Sequence, residues 1–95
     1  MQDGSVKSVR VIVTGRVQGV WYRTWTEKKA EARDLDGWVR NLSDGTVEAV
    51  FGGAGQEVDE MIAACRSGPA LARVKDVAVT AWEVPEPGFI KRETV

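Results

Sequence analysis

Val9, Val11 and Val13 alternate with Arg10, Ile12 and Thr14, the two-residue period of a strand, and the run stops at Gly15. Gly15 to Val20 carries two glycines and reads as a loop. From about Trp21 to Asp34 helix formers dominate, among them Glu27, Lys28, Lys29, Ala30 and Glu31. Trp38, Val39 and Arg40 predict a short strand that stops at Asn41. Asp44-Gly45 is a hairpin signal, and Val47, Ala49 and Phe51 alternate along the returning strand. Val58, Met61, Ile62 and Cys65 fall at i, i+3, i+4 and i+7, the apolar stripe of an amphipathic helix, and Ser67-Gly68-Pro69 stops it. Val77, Val79 and Ala81 alternate through a further strand, and Pro85 to Gly88 breaks it. A short edge segment from Phe89 offers an optional fifth strand.

The order is therefore β-α-β-β-α-β. It predicts an α+β ferredoxin-like sandwich, with both helices packed on one face of an antiparallel sheet. Ninety-five residues are enough for one domain, expected over 1–95, with residues 1–5 read as a disordered N-terminal tail. That fold hosts many activities, so function has to come from particular residues.

Composition narrows the chemistry. The chain has no histidine and one cysteine, Cys65, so a triad built on His, a thiolate metal cage and an internal disulfide are all excluded. Any reaction must use Arg, Lys, Asn, carboxylates or backbone groups, and a metal site could be built only from carboxylates. The net charge of −1, with both signs interspersed, does not suggest the basic stripe of a nucleic-acid binder. No run approaches the roughly 18 apolar residues that span a membrane, and no apolar segment follows the polar start, so a soluble cytoplasmic protein is expected. Nothing calls for an oligomer, and a monomer is expected.

The informative stretch is Gly15-Arg16-Val17-Gln18-Gly19-Val20-Trp21-Tyr22-Arg23. It leaves a strand, turns on glycine and enters a helix, whose first N–H groups have no partners within the helix. With a glycine-shaped nest of N–H groups, such a turn cradles anions, and a first-turn Arg23 could grip two phosphoryl oxygens. The same residues also suit a plain tight connection with a solvated Arg. A similar run, Gly52-Gly53-Ala54-Gly55, has no adjacent cation and reads as a flexible connection. The Walker pattern, with its Gly-Lys-Ser/Thr ending, is absent.

Gly15 to Arg23 resembles the first signature of the acylphosphatase family. Gly37-Trp38-Val39-Arg40-Asn41, followed by Gly45, Val47 and Gly53, resembles its second. Ser67-Gly68-Pro69, Ala72 and Val74 match the family's passage into the fourth strand, so the likeness spans about Val9 to Phe89. Four positions depart from the pattern. Arg33 and Asp34 replace a Leu and a Gly at the first helix's end, Lys91 replaces an apolar residue in the last strand, and Tyr22 stands where Phe is more usual.

The resemblance implies a metal-independent hydrolase that cleaves acyl phosphates to carboxylate and inorganic phosphate, the latter also a competitive inhibitor. It implies that Arg23 and Asn41 are catalytic, Arg23 on the phosphoryl oxygens and Asn41 on the attacking water. The phosphate would lie in the loop backbone of Gly15, Val17, Gln18, Gly19, Val20, Trp21 and Tyr22. Asn41 also suits a left-handed turn position with no further role.

Trp38 is expected in the sheet core beneath Asn41. Trp21 and Trp25, four apart, suggest mutual packing, with contact to an acyl group as the other reading for Trp21. Two rivals remain: an RNA-binding module, although its aromatic signature is missing from Val47 to Phe51, and a regulatory domain that keeps the loop without turnover.

Overall fold

The computed structural model describes residues 5–95. The elements are β1 (Val6–Arg16), α1 (Tyr22–Ala32), β2 (Asp36–Asn41), β3 (Val47–Ala54), α2 (Gly55–Ser67), β4 (Arg73–Ala81) and β5 (Phe89–Lys91). The strands form one sheet in the order β4-β1-β3-β2-β5. The first four are antiparallel neighbours, and β5 adds alongside β2 in parallel. The result is the ferredoxin-like arrangement with one extra edge strand. Residues 1–4 of the expected tail lie outside the described residues, whereas the Ser5 carbonyl accepts the Gly55 N–H at 3.1 Å.

The alternation in β1 sends Val9, Val11 and Val13 to the helix side, where they meet Ala49, Phe51 and Val77. Val58, Met61 and Cys65 of α2, with Tyr22 and Ala30 of α1, close this core from above. Fully burying a side chain such as Phe51 or Met61 contributes about 1.5–3 kcal/mol, so this layer supplies much of the driving force.

α1 ends in a Schellman motif despite its unusual residues. The Leu35 N–H donates to the Ala30 carbonyl at 2.9 Å and the Asp34 N–H to Glu31 at 3.1 Å. Asp34 takes the left-handed position, with φ 55°, that a glycine would occupy with less strain. Arg33 is not a core residue here: its guanidinium reaches across to Glu57 and Glu60 of α2 at 3.1 and 2.7 Å. Helix-to-helix ion pairing thus stands where a leucine contact was expected.

Several expectations need correcting. β1 does not stop at Gly15 but runs through it to Arg16, with a bulge between Thr14 and Gly15. A Cβ at Gly15 would lie 2.1 Å from the Arg73 carbonyl oxygen, so close strand approach explains this glycine. Gly52 to Gly55 is no connecting loop, because β3 continues to Ala54 and α2 begins at Gly55.

Trp38 is not under Asn41 in the core. Val39 is the fully buried neighbour, and Trp38 lies on the sheet's other face beneath the guanidinium groups of Arg40 and Arg92, at 4.8 and 4.6 Å. On that face Glu48 accepts hydrogen bonds from Arg10 Nε at 2.5 Å and Arg40 Nε at 2.6 Å. The segment joining β4 to β5 crosses the same face, with Pro85 against Gly52 and the Glu83 carbonyl accepting from Ser8 Oγ. That covering explains why central strand β3 is buried on both faces.

Candidate active site

The turn from β1 into α1 is pinned at both ends by its own apolar residues. The side chains of Val17 and Val20 are in the core, so the backbone between them is pushed outward. Gly19 (φ 74°) and Trp21 (φ 65°) both take left-handed conformations, the first easily and the second at a cost for an aromatic residue. Trp21 is the N-cap of α1, and its carbonyl accepts the Trp25 N–H at 3.0 Å. Its side chain caps nothing. Among the described residues, the N–H groups of Gln18, Gly19, Val20 and Trp21 donate to no main-chain or side-chain acceptor. A consecutive run of unpaired donors entering a helix N-terminus is an electropositive concavity.

Gln18 holds this loop rather than presenting its side chain to a ligand. Its Nε2 donates to the carbonyls of Leu42 at 2.8 Å and Thr46 at 2.9 Å, tying the turn to the β2–β3 hairpin. The hairpin is itself closed by the Leu42 N–H on Thr46 at 2.9 Å. Asp44 Oδ1 accepts from both the N–H and the hydroxyl of Thr46, and these bonds hold its carboxyl below the usual carboxylate range. The strand before the hairpin ends at Asn41, whose carbonyl accepts the Val95 N–H at 3.1 Å. Its side-chain amide bonds to no described residue.

These pieces meet at one cavity of about 270 Å³, lined by Val17, Gln18, Gly19, Trp21, Tyr22, Arg23, Thr24, Asn41 and Lys91. Arg23, on the first turn of α1, donates from Nη1 to the Arg92 carbonyl at 2.9 Å, which steadies the guanidinium and leaves its other N–H groups uncommitted. Of the residues expected at the site, Gly15 and Val20 do not line the cavity: Gly15 belongs to β1, and Val20 faces the core. Trp21 is 76% exposed at the rim, and Trp25 packs on Tyr22 instead (5.3 Å between ring centres), so the two tryptophans do not pack on each other.

Tyr22, the first residue of α1, is buried, and its hydroxyl donates away from the cavity to the Cys65 carbonyl at 2.7 Å. Burial raises the pKa of this hydroxyl and pushes the Cys65 thiol up to about 12, leaving both protonated and chemically quiet.

Lys91 and Thr24 also line the cavity, beyond the residues expected there from the sequence. Lys91 shares the inward face of β5 with Phe89, and a charged residue in that register at a strand end was the available signal. Among the described residues, no cluster of three metal-ligating side chains occurs, and no helix is long and apolar enough to cross a membrane.

The acylphosphatase family model matches residues 9–90, which takes in every lining residue except Lys91. The chain belongs to the acylphosphatase family. It is 48% identical over 91 residues to an acylphosphatase of Rhodospirillum rubrum, covering 95% of this chain and all of that one. With an acylphosphatase of Acidiphilium cryptum it shares 51% over 85 residues, 88% of this chain and 93% of the relative. Among solved structures, an acylphosphatase from Coxiella burnetii superposes with a TM-score of 0.89 at 34% identity, covering 97% and 98% of the two chains. The acylphosphatase fold therefore extends over nearly the whole chain.

Proposed function

We propose that this protein hydrolyses the carboxyl–phosphate bond of acyl phosphates without a metal, using the β1–α1 loop, Arg23 and Asn41. The observation that carries this reading is the run of unpaired loop N–H groups sharing one small cavity with Arg23 and an uncommitted Asn41 amide. The phosphoryl group lies in the loop, its oxygens accepting from backbone N–H groups and from the Arg23 guanidinium. Asn41 can donate and accept at once, which suits it to hold a water in line with the departing carboxylate. Water oxygen bonds to phosphorus as the phosphorus–carboxylate oxygen bond breaks. The water proton passes to a phosphoryl oxygen, and the products are carboxylate and inorganic phosphate.

This chemistry suits a site without histidine. A carboxylate leaves without a general acid, and phosphoryl transfer through a loose transition state needs mainly positioning and charge stabilisation. Trp21 at the rim is placed to meet the acyl group, and its exposed ring offers a flat apolar surface for it. A monomer suffices, because every group invoked comes from one chain.

The test is hydrolysis of benzoyl phosphate in excess EDTA. Turnover that is unchanged by the chelator, competitively inhibited by inorganic phosphate and abolished in Arg23→Gln is the expected result. Chelator-sensitive turnover, or an Arg23→Gln variant as active as the parent, contradicts the reading.

A further inference from the structure

The cavity contains two cations and no acid. Arg23 and Lys91 both line it, and none of its lining residues is Asp or Glu, although the chain has 14 acids and a net charge of −1. Among the described residues, ion pairs form at Lys7, Arg10, Arg33 and Arg40, and none involves Arg23 or Lys91. Both of the latter rest on neutral oxygens: Arg23 on the Arg92 carbonyl at 2.9 Å, and Lys91 Nζ on Thr24 Oγ1 at 3.1 Å. Thr24 is in the first turn of α1, so the ammonium stands beside the positive end of that helix. Two like charges, a helix N-terminus and the unpaired loop N–H groups repel one another until an anion enters.

Strand pairing puts Lys91 there. It pairs with Val39 of β2, two residues before Asn41, and the following N–H, of Arg92, donates to the Val39 carbonyl at 2.8 Å. The Arg92 carbonyl is the acceptor that steadies Arg23. One short segment therefore places one cation and orients the other.

We propose that Lys91 is a second phosphoryl-binding cation, contacting a substrate oxygen from the β5 side while Arg23 grips from the α1 side. This rests on the acyl-phosphate reading above. An acyl phosphate near neutral pH carries two negative charges, which the two cations match. Thr24 Oγ1 is the resting partner of the ammonium. Lys91 is exposed and its hydroxyl contact is a neutral one, so it exchanges that contact for a charged oxygen without losing any ion pair.

The test compares the parent, Lys91→Met and Lys91→Arg by calorimetric phosphate binding and by benzoyl phosphate kinetics. Lys91→Met is expected to raise both the phosphate Kd and KM about tenfold, the size of one hydrogen bond to a charged group. Its log Kd should depend less steeply on salt, and Lys91→Arg should restore most of the affinity. Unchanged Kd and KM in Lys91→Met overturn the proposal, including where Tm falls, since that marks a purely structural residue. Phosphate binding keeps this test separate from turnover. A parent that binds phosphate yet hydrolyses no acyl phosphate contradicts the proposed activity, and Lys91 is then judged on Kd alone.

Discussion

Tyr22→Phe removes one oxygen from the buried seam between the two helices, and its effect can be worked out from local chemistry. In α2 the Cys65 carbonyl would ordinarily accept the N–H four residues on, but residue 69 is proline and has none. The preceding carbonyl, of Ala64, is satisfied by the Gly68 N–H at 2.9 Å. The Tyr22 hydroxyl, at 2.7 Å, therefore supplies the donor that Pro69 withholds. Tyr22 is 2% exposed and Cys65 1%, so water has little access to replace it. Leaving a buried acceptor unpaired costs about 1–3 kcal/mol, so we expect a loss of about 2 kcal/mol. For a domain of this size that lowers Tm by about 8–16 °C. The assay is urea unfolding followed by fluorescence, with kcat measured well below the transition. We expect stability to fall while kcat stays within about twofold, because the loop main chain is unchanged. Stability within about 0.5 kcal/mol of the parent would refute the claim that Cys65 depends on this hydroxyl.

Two further variants probe the loop and the outer face. Gln18→Ala cuts both bonds to the β2–β3 hairpin and should reduce kcat/KM by about 10–100-fold with little change in Tm, since misplaced binding groups are costly to catalysis. Steady-state kinetics and a melt measure both. Glu48→Gln should cost about 1–3 kcal/mol at pH 7, less than a fully buried pair because Arg10 and Arg40 are 29% and 28% exposed. Burial opposes ionisation of Glu48, but the bonds from Arg10 and Arg40 outweigh it and hold its pKa below the ordinary value. Its stabilisation is thus full above about pH 4.3 and lost as pH falls through the lower folded value. Urea midpoints measured from pH 7 to pH 3 should therefore converge for parent and variant at the acid end.

β1, β3, β4 and α2 are legible from their periods, α1 from its run of helix formers, and β2 only as a short apolar segment ahead of a hairpin turn. β1 shows three inward valines, and α2 a complete apolar stripe. The three residues Trp38 to Arg40 do not reveal their parity, so the sequence puts Trp38 on the wrong face. The larger apolar residue suggests the core, yet Val39 is buried and Trp38 lies against two guanidinium groups. Gly15 looked like loop because glycine usually ends a strand, whereas here it admits the Arg73 carbonyl. The loop, Arg23 and Asn41 were readable as candidates from spacing and resemblance. Lys91 is not, since only the parallel pairing of β5 with β2 carries the chain's last strand to the cavity, where its ammonium meets Thr24. Arg33 looks in sequence like a missing leucine because its acidic partners are more than twenty residues away in α2.

The central claim is that the loop with Arg23 binds the phosphoryl group while Asn41 places the water. Asn41→Ala, assayed on benzoyl phosphate with the phosphate inhibition constant measured beside it, tests that division most directly. We expect kcat to fall about 10²–10³-fold, the worth of one preorganised polar group, while phosphate inhibition stays within about twofold. A variant that keeps most of its kcat, or that loses phosphate affinity in step with its rate, would contradict it.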